Sequence, residues 1–157
     1  MGATDDAGTL CGGEKTISIR TDPFNETYGQ FSPDGRWIVY QSDESQRPEI
    51  YVAPFPGPGG KRQISTAGGI QPRWRQDGKE IYYIAPDGRL MAAAVTVKGD
   101  VLDVGAVSPL FAITSVVGGY QYDVSADGQH FLVRAPTTAT AAQPLTLVQN
   151  WTAALKK

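Results

Sequence analysis

One unit recurs three times in this 157-residue chain: a strand-like run, an Asp-Gly pair, and a second run rich in aromatic and β-branched residues. The copies are residues 31–40, 74–83 and 124–133. Asp-Gly pairs favour tight hairpins because glycine adopts a positive φ without steric cost. A chain that closes one such hairpin after another is predicted to be all-β, built from similar antiparallel sheets.

The spacing of the unit predicts how the sheets are arranged. Asp34, Asp77 and Asp127 follow one another at intervals of 43 and 50 residues, close to the roughly 40–50 residues that form one four-stranded propeller blade. Within each repeat we predict an innermost strand before the Asp-Gly turn and a second strand after it. Third strands are predicted at 49–53, 89–95 and 145–151, and outer strands at 61–65 and within 104–111.

The prediction is an all-β fold of three four-stranded β-propeller blades. Residues 14–157 form this three-blade unit, and the Gly-rich residues 1–13 form a disordered leader. The third repeat lacks a predicted outer strand. Residues 15–20 alternate polar and apolar and are predicted to form a strand that is not assigned to any of the three blades. A strand from one terminus can complete the blade at the other, which removes an exposed sheet edge.

Three blades do not close a ring, because propellers typically have 4–8 blades. We therefore predict a homodimer in which two half-propellers form one six-bladed ring, each first strand completing the partner's last blade. The alternative is that the chain is a fragment of a longer propeller protein, and both can hold together.

Composition narrows the classes of partner. With 14 basic and 16 acidic residues the net charge is −2, so no positive excess is present to neutralise nucleic-acid phosphates or anionic lipid. We predict no nucleic-acid and no membrane partner. The single cysteine, Cys11, excludes an internal disulfide and a zinc site of paired thiolates. The first residues are acidic and lack the apolar segment of a signal peptide.

Residues 31–37, 49–61, 74–80, 86–91 and 150–155 closely resemble the TolB-like, WD-type propeller repeats at the C-terminal end of bacterial serine/threonine protein kinases. The resemblance covers roughly residues 22–155 and implies a propeller that acts outside the cytoplasmic membrane as a sensing or protein-binding module. The chain lacks the glycine-rich loop, the His-Arg-Asp loop and the Asp-Phe-Gly motif of a kinase. Phosphotransfer is therefore not predicted, and the cell compartment stays open.

Candidate site residues lie along the innermost strands, which face the channel of a propeller. Alignment on the Asp-Gly turns gives three sets at equal levels: Glu26 with Gly69 and Gly119, Tyr28 with Gln71 and Gln121, and Gln30 with Arg73 and Asp123. The candidate ligand-binding residues are Glu26, Tyr28, Gln71, Arg73, Gln121 and Asp123. The aromatic residues Trp37, Tyr40, Trp74, Tyr82, Tyr83 and Phe131 are instead predicted to pack between sheets.

Two functional hypotheses follow. The first is a binding or scaffold module that takes a protein or small ligand at the channel and needs no evident cofactor. The second is a hydrolase of activated esters or phosphotriesters with a divalent metal in the channel. That hypothesis uses Glu26 and Asp123 as ligands or base, with Arg73, Tyr28 or Gln121 stabilising an oxyanion. Polar groups that only solvate a channel, and a stable fragment without its own activity, remain the plain alternatives.

Overall fold

The computed structural model of the chain describes residues 23–56, 59–113, 119–135 and 145–149. Within these ranges all regular structure is β-strand, and no helix offers the length and apolar character that a bilayer crossing needs. The predicted leader 1–13 and the predicted strand 15–20 lie outside the described residues. The strands are β1 Glu26–Phe31, β2 Trp37–Ser42, β3 Glu49–Pro54, β4 Arg62–Gln63, β5 Ile70–Trp74, β6 Glu80–Ile84, β7 Arg89–Lys98, β8 Val101–Ala112, β9 Tyr122–Val124, β10 His130–Arg134 and β11 Leu145–Gln149.

The described strands form three antiparallel sheets in chain order. The first blade is β1-β2-β3-β4, the second is β5-β6-β7-β8, and the third is β9-β10-β11. The predicted sequence of inner strand, Asp-Gly turn, second strand and third strand is therefore confirmed in all three repeats. The described part of the third blade has three strands; residues 150–157, which follow β11, lie outside the described residues.

The Asp-Gly turns have a geometry slightly different from the tight hairpin that the sequence suggested. The Gly35 N–H donates to the Ser32 carbonyl at 2.9 Å, so Pro33 and Asp34 are the central turn residues and Gly35 follows at φ 70°. The Ser32 N–H donates to the Trp37 carbonyl at 2.8 Å, so the loop contains the four residues 33–36, two more than a tight Asp-Gly hairpin. One aspartate oxygen in each turn accepts the N–H two residues on, at 2.9–3.1 Å, in the pairs Asp34–Arg36, Asp77–Lys79, Asp87–Arg89 and Asp127–Gln129.

Two hydrophobic layers hold the blades face to face. The layer between the first and second blades includes Trp37, Val39 and Ile50 on one side and Trp74 and Ile81 on the other. The layer between the second and third blades contains Tyr82, Leu90, Tyr122, Phe131 and Val133. The second blade is thus buried on both faces. Five of the six aromatic residues predicted to pack between sheets belong to these two layers, which confirms the prediction for them. Tyr40 instead packs against Tyr51 on the other face of the first blade.

The innermost strands of the first two blades share a local irregularity. The pairing register shifts between Thr27 and Gln30 in β1 and between Ile70 and Arg73 in β5. Tyr28 and Gln71, which occupy the same level, have φ of 56° and 55°. A bulge of this kind bends a strand and redirects its side chains. The bulges lie beside the candidate site and set the direction of its residues.

The hairpin of β7 and β8 reaches back from the second blade to the first. Arg36 donates from Nη2 to the Gly99 carbonyl at 2.9 Å and to Asp100 Oδ1 at 2.7 Å. Leu102, 1% exposed, and the flanking Val95 belong to the layer between these two blades. The hairpin therefore covers one end of that layer.

Candidate functional site

The level of Tyr28, Gln71 and Gln121 contains the main polar connection between blades. The Gln71 side chain donates from Nε2 to the Gly119 carbonyl and accepts the Gln121 N–H through Oε1, both at 2.8 Å. The Tyr122 hydroxyl donates to the Gln71 carbonyl at 2.9 Å. The Gln71 N–H donates to Gln41 Oε1 at 3.2 Å. Gln71 is 3% exposed, so the structure places this candidate in the junction of three strands.

Gln121 and Tyr122 are buried in the same junction. Gln121 is 6% exposed, and its side-chain Oε1 has no hydrogen-bond partner among the described residues. Complete burial raises the pKa of the Tyr122 phenol well above its ordinary value. The phenol is therefore neutral near pH 7 and remains a hydrogen-bond donor to Gln71.

Three side chains form a stack at the exposed side of this junction. The Arg73 guanidinium lies 3.8 Å from the centroid of the Tyr120 ring, within the range of a cation–π contact. The Tyr28 ring meets Tyr120 edge-on, with 5.0 Å between centroids. Tyr120 is 37% exposed. The two tyrosines hold the guanidinium in place while leaving the stack open to solvent.

A cavity of about 330 Å³, which we call the inner-strand cavity, is lined by the third aligned set, Gln30, Arg73 and Asp123. Its other lining residues are Trp74, Gln76, Val124, Ser125 and Ala126. Arg73 Nε lies 3.8 Å from Asp123 Oδ1 and has no hydrogen-bond partner among the described residues. Gln30 Oε1 accepts the Trp74 N–H at 2.9 Å and connects the first blade to the second. The cavity therefore has a positioned cation whose hydrogen-bonding capacity is not fully used.

Glu26 lies apart from these residues. It begins β1 opposite Ser42, whereas Gln30 lies opposite Val39; three positions on β2 separate the two levels, which corresponds to roughly 10 Å along a strand. Asp123 shares the level of Gln30, so the two carboxylates of the hydrolase hypothesis stand at different heights along the inner strands. Among the described residues, no group of three or more His, Cys, Asp or Glu side chains is placed to hold a metal ion.

His130 and the Asp127 turn border the third blade. His130 Nδ1 lies 3.6 Å from Asp127 Oδ1, and the His130 side chain is 41% exposed. The hydrogen bond from the Ser125 hydroxyl, with that from the Gln129 N–H, lowers the pKa of Asp127. The His130 N–H donates to Ser125 Oγ at 3.0 Å. These contacts stabilise the turn next to the inner-strand cavity.

Comparison with known proteins supplies the architecture. No family model and no curated protein matches the sequence. The solved structures that match include two β-propeller proteins, TolB from Acinetobacter baumannii and an oligogalacturonate lyase from Vibrio parahaemolyticus. The TolB match has a TM-score of 0.57 at 17% identity and covers 87% of this chain and 32% of that chain. The lyase match has a TM-score of 0.51 at 14% identity, covering 73% and 31%.

The chain has a β-propeller fold. At these identities the likeness concerns the fold alone, and the chain spans about a third of the length of each matched protein. The expected likeness to TolB is confirmed at the level of the fold. The kinase context expected from the repeats stays a prediction.

Sequence reasoning missed Tyr120, which contacts both Tyr28 and Arg73. The alignment followed alternate positions from Gly119 to Asp123, as the pleat of a regular strand suggests. Tyr120 precedes β9, where that alternation does not apply. An exposed aromatic residue beside an aligned Gln was the available signal, but only the fold brings it to Arg73.

Proposed function

We propose that this chain is a binding module that takes a carboxylate-bearing segment of a protein partner at the inner-strand cavity. The observation that carries the proposal is Arg73. Its guanidinium is fixed against Tyr120 and lines the cavity, with Asp123 Oδ1 at 3.8 Å from Nε. A guanidinium presents several donors in a planar fork that suits a carboxylate.

The existing partner of Arg73 leaves room for a ligand. Asp123 Oδ1 is 3.8 Å away, beyond the 2.7–2.9 Å of a short charge-assisted hydrogen bond. The same oxygen accepts the Val124 N–H at 3.0 Å, and the Asp123 side chain is 66% exposed. An incoming carboxylate can therefore reach the guanidinium without breaking a buried ion pair.

The rest of the cavity suits an extended peptide. Its lining includes side-chain donors and acceptors from Gln76 and Ser125, and the exposed Tyr120 lies beside it. A peptide presents carbonyl and N–H groups along its length together with a carboxylate at a chosen position. This combination supports a peptide over a simple inorganic anion.

The proposal is tested by NMR titration of the ¹⁵N-labelled chain with acetyl-(Gly-Glu)₃-amide. We expect shifts at Arg73, Tyr120 and Ser125 that weaken with added salt, because the contact is between partly exposed charges. Arg73→Gln should reduce affinity roughly tenfold or more, the usual effect of losing a hydrogen bond to a charged group.

Arg62→Gln is the matched control, since it removes the same charge from an exposed position of β4 in the first blade. It should bind the peptide like the wild type. Equal binding by Arg73→Gln and the wild type contradicts the proposal. So does equal binding of acetyl-(Gly-Lys)₃-amide.

We further propose that a second copy of the chain closes the ring. Phe131 and Val133 of β10 pack toward the second blade, so the alternating Leu132, 40% exposed, points to the opposite face of the third blade. The first blade offers Phe31, 51% exposed, beside Phe55.

The centre of that first-blade face is already shielded in the single chain, at 4–5% exposure; it consists of Ile38, Tyr40, Tyr51 and Ala53. The apolar surface that the first blade leaves exposed for a contact is therefore at Phe31, the last residue of its innermost strand; we call this the inner-strand rim. A dimer would bring this rim against the Leu132 face of the partner.

A further inference from the structure

The two charged residues of the inner-strand cavity have opposite signs. Of the described residues that line it, Arg73 and Asp123 are the charged ones. The Arg73 side chain is 19% exposed and the Asp123 side chain is 66% exposed, so both are offered to a ligand from solvent. The wall of the cavity therefore has no net charge, although it holds a guanidinium and a carboxylate side by side.

The atoms that each residue offers follow from its contacts. Arg73 Nε is buried, so an incoming group meets the terminal nitrogens of the guanidinium, whose carbon lies 3.8 Å from the centroid of the Tyr120 ring. Asp123 Oδ1 accepts the Val124 N–H at 3.0 Å. The second oxygen, Oδ2, is the acceptor that remains for a ligand, because a carboxylate accepts through both oxygens.

A ligand with a carboxylate alone does not use this arrangement fully. Its carboxylate is attracted by Arg73 but repelled by Asp123, whose Oδ1 lies only 3.8 Å from Arg73 Nε. Both interactions act over the same few ångströms, so the repulsion offsets part of the attraction. A ligand cation beside Asp123 replaces that repulsion with a second ion pair, and an ammonium group also donates to Oδ2.

An extended peptide can present both charges from one face. Its side chains at positions i and i+2 point the same way, about 7 Å apart along the strand, whereas those at i and i+1 point to opposite faces. Glu and Lys have flexible stems, so their charged ends converge on two groups that are closer together than this spacing. An acidic and a basic residue at alternate positions therefore match Arg73 and Asp123, which lie on the inner strands of neighbouring blades.

We propose that Asp123 makes the inner-strand cavity selective for a segment that carries both charges, in which an acidic residue binds Arg73 and a basic residue two positions away binds Asp123. This inference rests on the function proposed above and names the class of segment that the cavity takes. Asp123 is the specificity-determining residue, since it weakens binding of a purely acidic segment and strengthens binding of a zwitterionic one.

The test is NMR titration of the ¹⁵N-labelled chain with three peptides that share one Glu. They are acetyl-Gly-Glu-Gly-Lys-Gly-amide, acetyl-Gly-Glu-Gly-Gln-Gly-amide and acetyl-Gly-Glu-Lys-Gly-Gly-amide. We expect the first to bind about two- to fivefold more tightly than the second, the range of an ion pair between partly exposed charges. The third, whose charges are adjacent, should bind less tightly than the first.

Asp123→Asn removes the charge and keeps both the size and an oxygen that accepts the Val124 N–H. In this variant the first and second peptides should bind equally, and the second should bind more tightly than it does to the wild type. Asp103→Asn is the matched control, because Asp103 is also an exposed aspartate but lies on the outer strand β8. It should keep the wild-type preference.

The outcomes separate this inference from the function on which it rests. If no peptide shifts the signals of Arg73 and Ser125, the cavity is not a peptide site and both proposals are wrong. If the first and second peptides bind the wild type equally, the binding function stands and the role of Asp123 is excluded. A preference that persists in Asp123→Asn would place the basic residue at another contact and would exclude that role as well. Equal binding of the first and third peptides contradicts the alternate spacing.

Discussion

At the scale of single residues, two turn glycines separate the cost of a left-handed backbone at a non-glycine residue from the cost of a steric clash by its Cβ. Gly35 and Gly128 both have φ 70°. A Cβ on Gly35 would meet no atom within 4 Å, whereas one on Gly128 would lie 2.6 Å from Arg75 Nε and 3.1 Å from the Tyr82 hydroxyl. Gly35→Ala should therefore cost only the left-handed conformation, about 1–2 kcal/mol. Gly128→Ala should lower the free energy of unfolding further, since Arg75 must move.

The moved group connects two blades, because Arg75 Nη2 donates to the Asp127 carbonyl at 3.1 Å. Urea unfolding of the two variants beside the wild type measures the difference. Equal losses in both variants would mean that Arg75 adapts at no cost and would contradict this account of the Gly128 contact.

Single residues also show what the sequence could predict about the site. Equal distance from the Asp-Gly turns placed Gln30, Arg73 and Asp123 at one level, and the structure brings them to one cavity. The same rule placed Gln71 in the neighbouring set, with Tyr28 and Gln121, without showing that its amide forms hydrogen bonds between blades. The difference arises at the bulge, where a positive φ redirects the side chain and period-2 reasoning no longer applies.

At the scale of elements, the β7–β8 hairpin is attached to the first blade by an ion pair and by buried apolar side chains. The Arg36–Asp100 pair has side-chain exposures of 49% and 97%, so solvent and salt weaken it. Leu102 is 1% exposed. Asp100→Ala should therefore change the free energy of unfolding by less than about 1 kcal/mol, whereas Leu102→Ala should lower it by about 2–5 kcal/mol.

Chemical denaturation of the two variants checks this ranking, with hydrogen exchange of β8 amides as a local measure. A larger loss from Asp100→Ala than from Leu102→Ala would show that the ion pair, and not burial, attaches the hairpin.

The lengths of the elements were predicted less well than their order. The outer strand expected at 61–65 is only Arg62–Gln63, while that expected within 104–111 extends over Val101–Ala112. Turn residues and alternation identify where a strand lies, but its end depends on what it packs against. β7 continues to Lys98 because its far half, with β8, covers the layer between the first two blades.

At the scale of the whole molecule, three described sheets packed face to face leave two outer faces. Closed propellers typically have 4–8 blades, so three blades need additional blades, from a second copy or from a longer chain, to close a ring. The sequence predicted this need from blade count, but it gave no means to tell a second copy from further blades of a longer chain. The exposed side chains on the outer faces make the question testable.

Multi-angle light scattering should give the wild-type chain a mass of twice 16.8 kDa if two copies close a ring. Leu132→Glu should yield a monomer, because the contact would bury an unpaired charge. Val107→Glu is the matched control, since Val107 is also 40% exposed but lies on the outer strand β8; it should remain a dimer.

Circular dichroism would establish that the Leu132 variant still folds, so that a change in mass reports assembly alone. A monomeric wild type would exclude closure by a second copy and favour further blades from a longer chain. A dimeric Leu132→Glu variant would place the contact on another surface. Leu132 and Asp123 are directly paired across β10 and β9. A second copy bound at Leu132 would therefore also cover the inner-strand cavity, which Asp123 lines.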